Sequence, residues 1–210
     1  MNKFLESVKE SYLRTRFNFC YLFIGTNRTG KSSIARKQIE VWKKANTDKL
    51  VVGFDPQRRF TGLIDIKINP ENENWLEEIL QMRNILLVID DFKKLHESSH
   101  APKGLKTLMI DFCDYNIDMI FIFHNPSDIW DCLNSHATHY FIFKTNSREG
   151  KFKDKIPNYQ LCLIASYKVN SYVREFGRGA YPKFPYIFVD TDTQTLTAIN
   201  MNNKSLTNKK

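Results

Sequence analysis

The 210 residues contain only four cysteines, Cys20, Cys113, Cys132 and Cys162, and no two of them make a C-x-x-C pair. That spacing argues against a zinc site or a disulfide framework. Each lies in or beside an apolar run, so all four are expected as buried thiols in a reducing compartment. No apolar run approaches the length of a membrane span, and the N-terminus lacks the apolar segment of a secretory signal. The expectation is a soluble protein of a reducing, cytoplasmic compartment, reaching a membrane only through something else. There is no internal repeat, and no low-complexity segment apart from the Asn/Lys-rich end. What is present is ordinary for a folded domain: 42% hydrophobic and 13% aromatic residues, enough to exclude a disordered chain and to bury a substantial single core. Lys and Arg exceed Asp and Glu by 31 to 23, giving +8. This excess favours a polyanionic partner, but it is spread along the chain and marks no particular segment.

One stretch carries chemistry at once. Gly25-Thr26-Asn27-Arg28-Thr29-Gly30-Lys31-Ser32 fits the phosphate-cradle pattern G-x-x-x-x-G-K-[ST]. Phe19 to Ile24 before it reads as a buried strand. The residues after it, Ser33 to Lys44, read as a helix with Ile34, Ile39, Val41 and Trp42 available to a core. A loop between a strand's carboxyl end and a helix's amino end lets successive N–H groups converge on one anion, helped by the helix dipole. Gly25 and Gly30 supply backbone angles closed to other residues. Lys31 can reach the β- and γ-phosphates, and the Ser32 hydroxyl can ligate Mg²⁺.

Further along, Leu50 to Phe54 reads as a strand ending at Asp55-Pro56, with Gln57-Arg58-Arg59-Phe60 following on the same edge as the phosphate site. A short strand within Ile64 to Ile68 and an amphipathic helix over Glu71 to Met82 come next. Ile85-Leu86-Leu87-Val88-Ile89-Asp90-Asp91 is an uninterrupted apolar run closing on carboxylates, the way a central parallel strand delivers an acid beside Mg²⁺. Asp90 is the expected metal ligand, and Asp91 the group that orients an attacking water. Gly104 to Asp114 reads as a helix, and Met119 to Phe123 as a strand ending in His124-Asn125-Pro126. A short helix capped by Ser127 and Asp128 follows, then a strand over His139 to Lys144. The last third is expected as antiparallel strands, Gln160 to Val169, Tyr186 to Asp190 and Thr195 to Ile199, extending the sheet. Arg174, Arg178 and Lys183, interleaved with Tyr172, Phe176, Tyr181 and Phe184, form a basic and aromatic stretch suited to a nucleic-acid backbone. The expected organisation is a helical segment over residues 1–16, one α/β domain over 17–199, and a flexible basic tail over 200–210.

From Phe17 to Lys144 these motifs, in order GTNRTGKS, FDP, VIDDF, FIFHNPSDIWDCL and THYFIFK, resemble a minimal FtsK–HerA-type P-loop ATPase. Within that group the chain resembles the small genome-packaging ATPases of membrane-containing and related viruses. The resemblance implies a P-loop NTPase fold of the RecA/ASCE kind, with a mostly parallel central sheet, helices on both faces and antiparallel C-terminal strands. It implies ATP and Mg²⁺ bound by residues 25–33, that is Gly25, Thr26, Asn27, Arg28, Thr29, Gly30, Lys31, Ser32 and Ser33, with Asp90. It also implies a hexameric or pentameric ring that translocates DNA through sequence-tolerant backbone contacts, anchored on a viral capsid or membrane protein. Lys151, Lys153, Lys155 and the Arg174 to Lys183 stretch are the candidates for those contacts. Two positions depart from the group's pattern. Asp91 stands where Glu is usual, and the sensor position carries His124, with Asn125 beside it, where Gln is usual. An arginine supplied in trans completes such sites; Arg148 is the best-placed match, with Arg58 and Arg59 as further candidates. Three other readings use the same motifs: a small-molecule P-loop kinase, a Zot-like phage assembly or DNA-extrusion ATPase, and a scaffold gated by a nucleotide it barely hydrolyses.

Overall fold

The computed structural model describes residues 18–95, 101–146, 158–179 and 183–201. Eight strands form one sheet: β1 (Cys20–Ile24), β2 (Leu50–Phe54), β3 (Ile66–Lys67), β4 (Ile85–Asp90), β5 (Ile117–Phe123), β6 (His139–Ile142), β7 (Tyr186–Asp190) and β8 (Thr195–Ile199). Their spatial order is β3-β2-β4-β5-β1-β6-β7-β8. The first six positions pair in parallel, and β7 and β8 add antiparallel strands at one edge.

Period-2 alternation in the strands builds two apolar layers. In β1, Cys20, Leu22 and Ile24 enter one core, while Tyr21 and Phe23, with Phe19 just before the strand, enter the other. β4 lies between β2 and β5 and is buried along its whole length, which explains its unbroken apolar run. Helix α1 (Lys31–Ala45) covers the second layer through Ile34, Ala35, Ile39 and Trp42. The first layer is covered by α2 (Trp75–Gln81), α3 (Phe92–Leu95), α4 (Leu105–Asp111), α5 (Asp131–His136) and α6 (Tyr159–Phe176). The sheet is thus mostly parallel, clad on both faces, and extended by antiparallel C-terminal strands, as the sequence predicts.

One element differs. Gln160 to Val169, expected as a strand, lies within the 18-residue helix α6. Its buried residues are Cys162, Ala165, Ser166, Val169 and Val173, a spacing of three to four that only a helix places on one face. The cysteines also differ from expectation: Cys20 and Cys162 are buried, Cys132 is half-buried and Cys113 is exposed. The expected segment over residues 1–16 lies outside the described residues. Of the expected tail, Met201 is buried and the Asn200 side chain donates to Phe184 O at 2.9 Å. The rest of the tail is not among the described residues. Among the described residues, no helix is long and apolar enough to cross a membrane.

The end of the sheet away from the phosphate loop is tied by Asp118 of β5. Its carboxylate accepts from Trp42 Nε1 at 2.6 Å, from Phe19 N at 3.1 Å and from Asn18 Nδ2 at 3.2 Å. Burial raises its pKa, and these three donors oppose the rise. Trp42 is fully buried, so truncating the acceptor strands its indole N–H. Asp118→Ala is expected to cost about 3 kcal/mol of stability, read as a lower midpoint in urea or guanidinium unfolding. Asp118→Asn retains one acceptor oxygen and is expected to cost less.

Candidate nucleotide site

The phosphate loop leaves β1 at Gly25 and enters α1 at Lys31. Gly25 N donates to Phe123 O (3.2 Å) and Thr26 N to Lys144 O (2.8 Å), so the loop is slung from the ends of β5 and β6. A Cβ on Gly25 would stand 2.6 Å from Phe143 Cβ, which only glycine avoids. α6 braces this anchor from behind: Thr145 Oγ1 meets the buried Ser166 Oγ at 2.8 Å, and Thr145 N donates to Asn170 Oδ1 at 3.0 Å. Inside the loop, Thr29 Oγ1 and Lys31 Nζ both donate to Thr26 O, each at 2.8 Å. Arg28 and Gly30 take positive φ, 60° and 93°, the alternation that turns successive N–H groups into an anion nest. Asn27 and Arg28 are exposed, while Ser32 and Ser33 sit half-buried in the first turn of α1. Lys31 is only 4% exposed. Burial lowers its pKa to about 8; Asp90 and Asp91 oppose the fall and Arg59 adds to it.

Strand β4 brings Asp90 to the same edge of the sheet, at the carboxyl end of its run. The side chain is buried, and its Oδ2 accepts no hydrogen bond. Desolvation raises its pKa to about 6, against the pull of Arg59. Asp91 follows at φ 62°. Its carboxylate pairs with Lys94 Nζ at 3.0 Å and lies 3.8 Å from His124 Nε2. His124 Nδ1 in turn lies 3.5 Å from Lys31 Nζ. An ammonium can only donate, so Nδ1 accepts and Nε2 carries the hydrogen facing Asp91. Burial first, and the Lys31 charge second, hold the imidazole below its usual pKa, so it is neutral at pH 7. Asn125 is occupied differently: its Nδ2 donates to Asp128 Oδ2 at 3.2 Å. Of the two sensor candidates, His124 is therefore the one placed between Lys31 and Asp91.

Arg59 completes the cluster. Its Nη1 donates to Ser32 Oγ at 2.7 Å and lies 3.6 Å from Asp90 Oδ2. Ser32 and Asp90, the two residues expected to hold Mg²⁺, thus face a single cationic nitrogen. A buried carboxylate oxygen without a hydrogen bond, beside a hydroxyl and already drawing a cation, suits a hard divalent ion. Mg²⁺ takes few protein ligands and completes its shell with water and phosphate.

A cavity of about 510 Å³ opens over the loop, bounded by residues 27–33 with Arg36, Arg59 and Phe184, a size suited to a small ligand. Phe184, from the basic and aromatic stretch, forms one wall of this cavity: a Cβ on Gly30 would overlap its ring. No sequence signal links positions 30 and 184. Of the other residues in that basic and aromatic stretch, Tyr172 and Phe176 pack together at 4.8 Å between ring centroids, and Tyr181 is not among the described residues. Arg148, Lys151, Lys153 and Lys155 also lie outside them. Arg58 is exposed on the loop after β2, and the structure gives it no place in the cluster.

No family model matches the chain, and no curated protein matches its sequence. Solved structures do match. The DNA-packaging ATPase B204 from Sulfolobus turreted icosahedral virus superposes with a TM-score of 0.64 at 12% identity, over 88% of this chain and 98% of that one. The genome packaging NTPase B204 from Sulfolobus turreted icosahedral virus 2, in complex with ATP-gammaS, gives 0.62 at 15% identity over 87% and 96%. The cytoplasmic domain of the Thermomonospora curvata type VII secretion ATPase EccC gives 0.60 at 12% identity, covering 87% of this chain but 23% of that one. With a phosphate loop at the tip of β1 and an acid at the tip of β4, this chain has the P-loop ATPase fold that those proteins share.

Proposed function

We propose that the protein binds Mg–ATP at the β1–α1 loop and hydrolyses it, and that an oligomeric ring of subunits uses the hydrolysis to move DNA. The observation that supports this best is the convergence of Lys31, Asp91 and His124 on one side of the phosphate loop with Ser32 and Asp90 on the other. The loop N–H groups and Lys31 bind the triphosphate and hold charge as it develops on the transferring phosphoryl group. Ser32 and Asp90 would hold Mg²⁺, which neutralises charge on the β- and γ-phosphates when bound. Asp91 orients the attacking water and takes up its proton, and neutral His124 donates from Nε2 towards that water or the γ-phosphate. An arginine from a neighbouring subunit, Arg148 by its position after β6, adds positive charge in the transition state. Loss of the γ-phosphate relaxes these contacts and shifts the subunit boundary. Basic side chains such as Arg174, Arg178 and Lys183 convert the shift into a step along a phosphate backbone, without base readout and with steep salt dependence.

The test is steady-state phosphate release with no DNA, with single-stranded DNA and with double-stranded DNA, alongside the mass of the assembly. Turnover without any acceptor, raised by DNA, is expected. Asp90→Ala is expected to reduce it on the order of a hundredfold. Equal rates for Asp90→Ala and wild type would remove the site assignment. Turnover indifferent to DNA would remove the translocase.

A further inference from the structure

Arg59 is held in a way that a solvated surface arginine is not. Asp55, just after β2, accepts from Arg59 N at 2.9 Å and from Phe60 N at 2.6 Å, and Phe60 is fully buried. Arg36 of α1 donates to Arg59 O at 2.8 Å. The backbone at residue 59 is therefore pinned on both its N–H and its carbonyl, with a core anchor one residue on. The side chain is not pinned in the same way: it is 36% exposed and reaches the cluster through the guanidinium alone. There Nη2 donates to Gln57 Oε1, and Nη1 sits against Ser32 Oγ and Asp90 Oδ2. These are the oxygens whose chemistry fits a divalent cation, and Asp90 Oδ2 has no hydrogen bond. A guanidinium and a metal ion cannot both occupy the space between them, since like charges at that separation repel.

We propose that Arg59 is a built-in counter-cation for the metal position. In the nucleotide-free protein it holds Ser32 and Asp90 together, and it yields that position when Mg²⁺ enters with the nucleotide. The inference rests on the nucleotide reading of the site and assigns Arg59 a role in its own subunit. Two consequences follow from charge balance. Without metal, Arg59 neutralises Asp90 and so permits an anionic nucleotide to bind beside it. With metal, Arg59 competes, and the gain in affinity from Mg²⁺ is smaller than in the same site without the arginine. The pinned backbone keeps the displaced guanidinium beside the cavity it already lines, so the exchange requires side-chain rotation and no movement of the loop.

The experiment measures ADP binding to the full chain by calorimetric or fluorescence titration, once in excess Mg²⁺ and once in excess EDTA. ADP keeps turnover out of the measurement. Wild type is expected to bind in both conditions. Arg59→Ala is expected to lose about tenfold in EDTA and nothing in Mg²⁺, the equivalent of one charge-assisted contact. The ratio of the two dissociation constants therefore rises about tenfold. Arg59→Lys keeps the charge and moves the ratio less. A merely structural role for Arg59 would weaken both conditions alike and leave the ratio unmoved. An unmoved ratio in Arg59→Ala overturns the inference. If Lys31→Ala abolishes binding in the same series, the nucleotide reading survives that result. If wild type binds no ADP in either condition, the nucleotide reading fails and the inference falls with it.

Discussion

Lys31→Ala is expected to lower ATP turnover on the order of a thousandfold and to weaken nucleotide binding in parallel. The side chain is almost completely buried, and its ammonium meets only neutral acceptors, Thr26 O and His124 Nδ1. It therefore spends little of its charge on the protein and can offer it to a phosphate. Thr29 Oγ1 donates to the same carbonyl, so the alanine variant keeps the loop tied at that point. The loss then reports the missing charge and not a collapsed loop. Arginine is a poor replacement, since its planar fork needs room that a 4% exposed side chain does not have. Burial also sets a pH signature. The free protein's Lys31 is charged at pH 7 and loses its proton as the pH rises through about 8. Bound phosphate favours the charged form, so affinity falls between pH 7 and pH 9, and binding near pH 8 takes up protons. Titration calorimetry in buffers of different ionisation enthalpy reads that uptake. Wild-type affinity in Lys31→Ala would show that the loop is not a phosphate cradle.

The parts legible in the sequence are those written in contiguous residues. The phosphate loop is one motif of eight residues, and β4 is one unbroken apolar run ending in acid, so each can be placed without knowing its neighbours. The antiparallel pairing of β7 with β8 is likewise local, across the turn after Asp190. Helix α6 was not legible within Gln160 to Val169, because that short window is apolar enough for either element. Its period becomes clear only when Val173 is counted with Cys162, Ala165, Ser166 and Val169. The remaining ambiguities are ones of side-chain partnership. Sequence puts His124 and Asn125 side by side as sensors; the structure separates them because Asp128 takes Asn125, while Lys31 and Asp91 flank His124. Arg58 and Arg59 are equivalent on paper, yet only Arg59 reaches Ser32 and Asp90. Phe184 becomes a wall of the cavity because Gly30 has no side chain, a complementarity across 154 positions that neither residue announces.

Asp91→Asn is expected to lower turnover by roughly 10²- to 10⁴-fold, the range for removing a group that positions and deprotonates a nucleophile, while leaving nucleotide binding no weaker than wild type. The backbone makes this substitution informative. Asp91 sits at φ 62°, with its N–H donating to Ile122 O at 3.3 Å. Asp and Asn tolerate that left-handed conformation far better than longer side chains, so the asparagine variant preserves the chain's path and removes only the charge. The same geometry accounts for the departure from the glutamate usual in the group the sequence resembles. A glutamate here would have to adopt the left-handed region or shift the strand end that carries Asp90. Asp91→Glu is therefore expected to stay at or below wild-type turnover, with some loss of thermal stability, even though it restores the commoner residue. Phosphate release and ADP titration on the three proteins separate the possibilities. A glutamate variant faster than wild type would mean that reach, and not backbone conformation, limits the native aspartate. Wild-type turnover in Asp91→Asn would remove the carboxylate from the chemistry altogether and leave His124, the neutral donor beside it, as the group that orients the water.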